Sequence, residues 1–301
     1  MQFLSSLFGS SNSKQSGTSS SPNSHNSKPA TQPITGFLTG GDVRKDNKVT
    51  FGYSVMRGKR AGMEDFFYAD FKDLHHGKPG TVGLFGVFDG HGGPHAADFV
   101  RANLFDSLLG NPNFPSDVPM ALGEAFVETD KRYLQADTGA NRDDGCTAVT
   151  AVLMDHTVVV AHVGDSRAVL SRGGKAIPLS EDHKPNRSDE RSRIEAAGGV
   201  VVWAGTWRVG GVLAVSRAFG DRLLKRYVVA TPDVREEMLT TQDEIMILAS
   251  DGLWDVLSNQ EAINLIKDIQ DAEKAAKKLT DEAYGRGSND NISCIVLRFR
   301  F

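Results

Sequence analysis

The sequence predicts an α+β fold, a largely antiparallel sheet system flanked by helices, and three observations lead there. Apolar runs of strand length, rich in Val, Ile, Leu and Phe, recur along the chain, as in VGLFGVF, EIMILAS and NISCIVLRF. Two such runs, AVTAVLM and TVVVAHV, are separated only by Asp155-His156, the spacing of a tight antiparallel hairpin. Helical segments carry their own start and stop signals and fall in groups, whereas a parallel sheet would alternate them strictly with strands.

The predicted strands are, in order, Phe51–Val55, Thr81–Phe88, Ala148–Met154, Thr157–Val163, Ala168–Arg172, Gly211–Ser216, Glu244–Ala249 and Ile292–Phe301. The stretch GDSR turns the fourth of these into the fifth and extends the meander. The first helix follows Gly92-Gly93, with Pro94 in its opening turn and an apolar face through Ala97, Val100 and Leu104. Ser188 is the expected cap of a helix that stops at Gly198-Gly199. Ser258-Asn259-Gln260-Glu261 is a capping-box pattern ahead of Ile263, Ile266 and Ile269. Asp271 caps the helix after it, which ends at Gly285 or Gly287.

Residues 1–50 are rich in Ser, Asn, Gly and Thr and contain no acidic residue before Asp42. A segment of that composition buries too little apolar surface to offset its ordering entropy, so it is expected to be disordered. An organelle transit peptide, also Ser-rich and acid-poor, is the alternative, against which stand the few basic residues Lys14 and Lys28. Residues 51–301 are expected to form one domain. The whole chain's 40% apolar and 24% charged content suits a soluble core of ordinary size, and its net charge of -4 argues against nucleic acid and anionic membranes as partners. No apolar run approaches the roughly 20 residues that span a bilayer. Two cysteines, Cys146 and Cys294, make no disulfide framework and point to a reducing compartment. The cytosol or nucleus is the expected location, with the transit-peptide alternative open.

The chemistry lies in three aspartates. Asp89, Asp251 and Asp290 each stand where an apolar strand meets its loop. A carboxylate there costs desolvation unless positive charge is near. Two ionised carboxylates about 4 Å apart repel by roughly 4 kcal/mol at an effective dielectric near 20, a penalty that a divalent cation removes. Oxygen ligands without a Cys or His cluster at zinc spacing favour Mg²⁺ or Mn²⁺. Gly90 allows close backbone approach, so its carbonyl is a further candidate ligand, and His91 is suited to carry a proton near neutral pH. Arg60 precedes Glu64-Asp65, Asp165 sits in the GDSR turn, and Asp255 lies four residues after Asp251. A guanidinium among carboxylates and hard cations suggests a phosphoryl substrate, with two metals about 3.5–4 Å apart sharing a bridging water. Asp255 and Arg167 read as structural.

RAGMED, FGVFDGHGG, GCTAV, VGDSRA, GGVLAVSRAFGD, ASDGLWD and SNDN resemble the motifs of the metal-dependent serine/threonine protein phosphatases of type 2C, in that family's order and across residues 51–301. The stretches DHKPNRSDERSRIEAAGG and WAGTWRVGG look most like plant members. The resemblance implies a central β-sandwich of two antiparallel sheets with α-helices on both outer faces. It implies that Asp89 bridges two Mg²⁺ or Mn²⁺ ions, that Gly90 gives its carbonyl to one, and that Asp251 and Asp290 ligate the other. Glu64 and Asp65 match acidic positions that hold metal-bound waters, and Asp165, with Asp251, matches the site of a weaker third ion. Arg60 matches the phosphate-binding arginine and His91 the general acid that protonates the leaving alkoxide. The substrates so implied are phosphoserine and phosphothreonine in proteins. Trp203 and Trp207 fall in the stretch that matches the family's variable flap, where an exposed Trp would contact kinases or regulatory proteins, although core packing of at least one of them is expected. A monomer is expected.

Overall fold

The protein is described by a computed structural model that covers residues 36–74, 80–136 and 142–301. The chain opens with β1 (Phe37–Val43), β2 (Val49–Met56), β3 (Asp65–Asp73) and β4 (Thr81–His91), then α1 (His95–Leu109) and α2 (Val118–Ala136). A meander follows: β5 (Gly145–Met154), β6 (Thr157–Val163), β7 (Arg167–Arg172) and β8 (Lys175–Pro178). After α3 (Ser188–Ala196) come the short strands β9 (Val201–Trp203), β10 (Trp207–Val209) and β11 (Phe219–Gly220). The chain closes with β12 (Asp233–Met238), β13 (Asp243–Ala249), α4 (Asp251–Trp254), α5 (Asn259–Ile266), α6 (Ala272–Gly285) and β14 (Ile292–Phe299).

Two sheets carry the architecture. One has the order β1-β2-β14-β13-β7-β8 and the other β12-β6-β5-β4-β3. Neighbouring strands in both run antiparallel. Period-two alternation sends successive side chains of one strand into different layers. On β4, Leu84 and Phe88 pack against α1 and α2, whereas Phe85 and Val87 face the other sheet. On β14, Ile295 and Leu297 face inward between the sheets, whereas Ile292, Cys294 and Val296 pack under α5 and α6. Both faces of these strands are covered, which is why they read as unbroken apolar runs. The α+β expectation and the helix-covered sandwich implied by the resemblance both hold.

Several local expectations hold as well. The hairpin turns at Asp155, whose φ of 50° lies in the left-handed region. Ser258 accepts from the Glu261 amide while the Glu261 carboxylate accepts from the Ser258 amide, the full capping box. Asp271 caps α6 by accepting from the Lys274 amide.

Others need correction. The segment 1–50 is not wholly without structure. Residues 1–35 lie outside the described residues, but Phe37–Val43 pairs along its length with β2, so the folded unit begins ahead of residue 51. Its sequence, FLTGGDV, shows no apolar run because an edge strand takes up backbone hydrogen bonds while burying few side chains. Gly211–Ser216 is not a strand. Gly210 and Gly211 sit at φ of 59° and 76°, and only an isolated bridge links Val209 to Leu213. Ser188 is the first residue of α3, not its cap; Arg187 holds the cap position. The strand expected at 148–154 begins at Gly145, and β3, β12 and α2 were not foreseen.

Candidate active site

At one end of the sandwich a cavity of about 490 Å³ opens, lined by Arg60, Glu64, Asp89, Gly90, His91, Asp165, Asp251 and Asp290, with Asn291 and the flap residues Arg208 and Leu213. Residues more than 200 positions apart in sequence meet there because β4 ends, α4 begins and β14 begins at the same edge. Asp165 joins them from the turn by which the chain passes from one sheet to the other. Asp65 stands behind this group, directly opposite Asp89 in the β3–β4 ladder, where it accepts from Ser250 Oγ at 2.8 Å. The residues expected to ligate metal, hold phosphate or carry a proton are therefore in the cavity or against its wall, whereas Asp255, Arg167 and the two tryptophans do not line it.

The backbone supports are built closely. Asn291, 4% exposed, accepts from the Glu64 amide at 2.8 Å and donates to the carbonyls of Arg57 and Gly62 at 2.8 and 3.0 Å. Those three bonds fasten the loop that carries Arg60 and Glu64 to the start of β14. Gly252 lets the first turn of α4 lie on this segment; a Cβ there would run into the Asn291 carbonyl. Glu64 accepts from the Gly93 amide at 3.3 Å, and Asp144, at the foot of β5, accepts from the Ala96 amide at 3.1 Å and so caps α1. Sequence reasoning had assigned α1 no such partner.

Electrostatically the cavity is short of positive charge. Burial, and the charges of Asp65, Asp251 and Asp165, push the Asp89 carboxyl well above the usual range. Burial, with Asp165, Asp255 and Asp290, does the same to Asp251. Asp65 is raised to about 6, chiefly by burial. Arg60 pairs with Asp290 at 2.6 Å and Lys184 pairs with Asp165, but among the described residues neither Asp89 nor Asp251 has a cationic partner. Oxygen-only donors, partly withdrawn from water and mutually repelling, suit a hard divalent cation.

His91 is set differently. Its Nε2 lies 3.0 Å from both carboxylate oxygens of Asp221. Burial alone would lower its pKa, yet Asp221, with Asp165 and Glu64 nearby, leaves it raised. Gly145 makes the contact feasible, since a Cβ there would overlap the Asp221 carboxylate and the His91 ring nitrogen. Asp221 itself sits at φ 47°. Sequence reasoning quoted it within GGVLAVSRAFGD and gave it no role; no local signal ties it to a histidine 130 residues away.

A second group with metal-ligating side chains, His162, His183 and Asp233, lies apart from this cavity. Its hydrogen bonds argue against a cation. His183 Nδ1 accepts from the Gly164 amide at 3.2 Å, so its Nε2 keeps the hydrogen and donates to Asp233 at 3.0 Å. His162 Nε2 donates to the Glu181 carbonyl at 2.8 Å. Both Nε2 atoms are thus already donors to protein oxygens, and these bonds make the group structural bracing.

Arg167 and the tryptophans resolve as structure would have them. Arg167 pairs bidentately with Asp182 at 2.9 and 2.7 Å and covers the Trp254 ring. Trp207 packs into the small core formed by α3 and the β9–β10 hairpin, with Arg191 over its ring, whereas Trp203 is 65% exposed. Cys146 and Cys294 are buried, and burial pushes both thiols up. Among the described residues no helix is long and apolar enough to cross a membrane.

The profile of the family described as protein phosphatase 2C matches residues 49–292. Probable protein phosphatase 2C member 13, mitochondrial, of Oryza sativa subsp. japonica is 57% identical over 264 residues, covering 88% of this chain and 72% of its own. Probable protein phosphatase 2C 59 of Arabidopsis thaliana is 55% identical over 264 residues, 88% of this chain and 84% of its own. Among solved structures, serine-threonine phosphatase 2C from Toxoplasma gondii superposes with a TM-score of 0.79 at 27% identity, covering 87% of this chain and 99% of the other. Sequence, fold and cavity agree: this chain belongs to the protein phosphatase 2C family and is a protein phosphatase of its metal-dependent, serine/threonine class.

Proposed function

We propose that the cavity described above hydrolyses phosphoserine and phosphothreonine in proteins, with Mg²⁺ or Mn²⁺ as the resident cations. The reading rests on one observation: Asp89, Asp251 and Asp290 line a single cavity with Arg60 and His91. The residues that would hold the ions are Asp89, the Gly90 carbonyl, Asp251 and Asp290. Glu64 and Asp65 would act through waters, and Asp165 with Asp251 would hold a weaker third ion. When bound, a pair of hard cations activates a water for in-line attack on phosphorus and neutralises the charge that develops. Arg60, 58% exposed at its side chain and anchored by Asp290, presents its remaining guanidinium N–H donors to the phosphate. His91, held by Asp221, keeps a proton for the departing Ser or Thr oxygen. Trp203 is the residue on which a partner protein would close at the flap. A cytosolic or nuclear address is our reading, and the rice relative named mitochondrial makes an organelle address the alternative.

The test is a phosphoserine peptide assayed with Mn²⁺ and with excess chelator, alongside p-nitrophenyl phosphate, whose leaving group needs no proton. His91→Gln should lower kcat on the peptide by roughly 100-fold and on the aryl ester far less. Equal losses on both substrates would remove His91 from the role of acid. Undiminished turnover in chelator would remove the metal mechanism altogether.

A further inference from the structure

We propose that Lys184 is a built-in counter-ion that weakens and tunes cation binding on the Asp165–Asp251 side of the cavity, an inference that rests on reading these aspartates as metal ligands. Its ammonium is in direct contact with the Asp165 carboxylate, which is 7% exposed at the side chain. Asp251 and Asp182 add further negative charge around the same ammonium. It stands in the wall between two cavities, lining the neighbouring one of about 750 Å³ while Asp165 lines the catalytic one.

The placement is imposed by the backbone and does not depend on a flexible stem finding its partner. The His183 amide donates to the Gly164 carbonyl at 2.9 Å, and the Gly164 amide donates to His183 Nδ1 at 3.2 Å. Those two bonds lock residues 183 and 164 face to face, one position ahead of Lys184 and Asp165 respectively. Asp182 is clamped by Arg167, and His183 is held on its other side by Asp233. Pro185 follows directly and restricts the backbone of Lys184 to extended conformations. Two segments of the chain are thus riveted so that an ammonium meets a carboxylate at the rim of an acidic cavity.

A fixed positive charge there has two consequences. It relieves repulsion among the carboxylates, and it stands against any divalent cation arriving at Asp165, which must share or displace the ammonium. Cation affinity at this position is set low by construction, so its occupancy follows the surrounding concentration instead of being saturated throughout.

Lys184→Met keeps the stem and removes the charge. Calorimetric titration of the full chain with Mn²⁺ alone should show the weakest binding step tightened by about 10-fold in this variant, with Lys184→Arg close to the parent. In chelator the Met variant should melt lower than the parent, and its gain on adding Mn²⁺ should be larger. Should Lys184→Met fail to fold, Asp165→Asn carries the test, because it should abolish the weakest step. An unchanged or weakened step in the Met variant, an Arg variant that moves as far as the Met variant, or a step that persists in Asp165→Asn would each overturn the proposal. So would unchanged Mn²⁺ affinity accompanied by a raised KM for phosphopeptide, which would make Lys184 a substrate contact. A parent that binds no Mn²⁺ would sink the metal reading itself; a parent that binds it, with Lys184→Met indistinguishable, would sink only this inference.

Discussion

Two groups of carboxylates in this protein behave in opposite ways. Glu190, in α3, is 1% exposed, yet its carboxyl is pulled down to about 2, because the opposing effect of burial is outweighed by Arg217 and Arg193. Arg217 Nε and Nη2 reach it at 3.0 and 2.8 Å, and Arg193 Nη2 at 2.8 Å. Asp233 beside it is likewise held below the usual range, chiefly by His183. Asp89 and Asp251 are half-buried, and they are pushed up, by withdrawal from water and by the other carboxylates that face them. Burial acts in the same direction in both groups; the neighbours decide the outcome. Where the chain supplies its own arginines, a buried carboxylate is scaffold. Where it supplies more carboxylates, it leaves a charge deficit, which the proposed cations would meet from outside.

The comparison is broken most forcefully at Asp251. Asp251→Asn should cost turnover on a phosphopeptide by roughly 1,000-fold, about 4 kcal/mol of barrier. In chelator the same variant should melt higher than the parent, since it removes repulsion with Asp165, Asp255 and Asp290. A variant that loses stability and keeps its turnover would place Asp251 with the scaffold.

Glu190→Gln should do the reverse. Its side chain is enclosed, and losing the charge leaves two guanidinium groups short of a partner, at a cost of about 3 kcal/mol in unfolding free energy. The molecules that remain folded should still turn over phosphopeptide in Mn²⁺. Denaturant unfolding paired with kcat on the folded fraction checks both halves. Unchanged stability would show that the arginines were never depending on Glu190.

Much of this contrast was legible in the sequence on one side only. Asp89, Asp251 and Asp290 declared themselves because each stands where an apolar run meets its loop, and a charge next to buried strands demands a reason. The scaffold group did not, since Glu190, Arg193 and Arg217 sit in polar stretches where charge is ordinary. Strands buried on both faces were readable, whereas β3 and β12, the two edges of their sheet, were not: β3 is only half-buried along most of its length, and β12, DVREEM, buries none of its side chains fully. The helix α2 hid because its buried face includes Thr129 and Asp130, and Asp130 is matched only in three dimensions, by the Gly220 amide and Lys225. The partnerships His91–Asp221 and Lys184–Asp165 are likewise products of tertiary structure, invisible to spacing.

The smallest effect, and the sharpest reading of the difference, is in the pH dependence of stability. In the folded protein Asp65 holds its proton up to about 6, against an ordinary value of 3.8, so the folded state binds more protons than the unfolded chain and acid favours folding. Glu190 has the opposite sign, but its contribution is lost only as pH falls from about 4.5 toward 2, outside the window from pH 7 to 5. Within that window His162 works against Asp65. Burial and the neighbouring His183 hold it down to about 4, so the unfolded chain takes up its proton first and acid favours unfolding. The total slope therefore mixes signs, and the informative quantity is a difference. In chelator, going from pH 7 to 5, the parent should gain about 1 kcal/mol relative to Asp65→Asn, because both chains carry the same histidines and only one carries the titrating carboxyl. In Mn²⁺ that relative gain should shrink or reverse, since a bound cation keeps the cluster ionised and protons now compete with it. Urea unfolding of the two proteins at both pH values, with and without the cation, measures all of it. Parallel curves in chelator would mean that Asp65 is charge-matched after all, and that the two groups of carboxylates differ less than their surroundings imply.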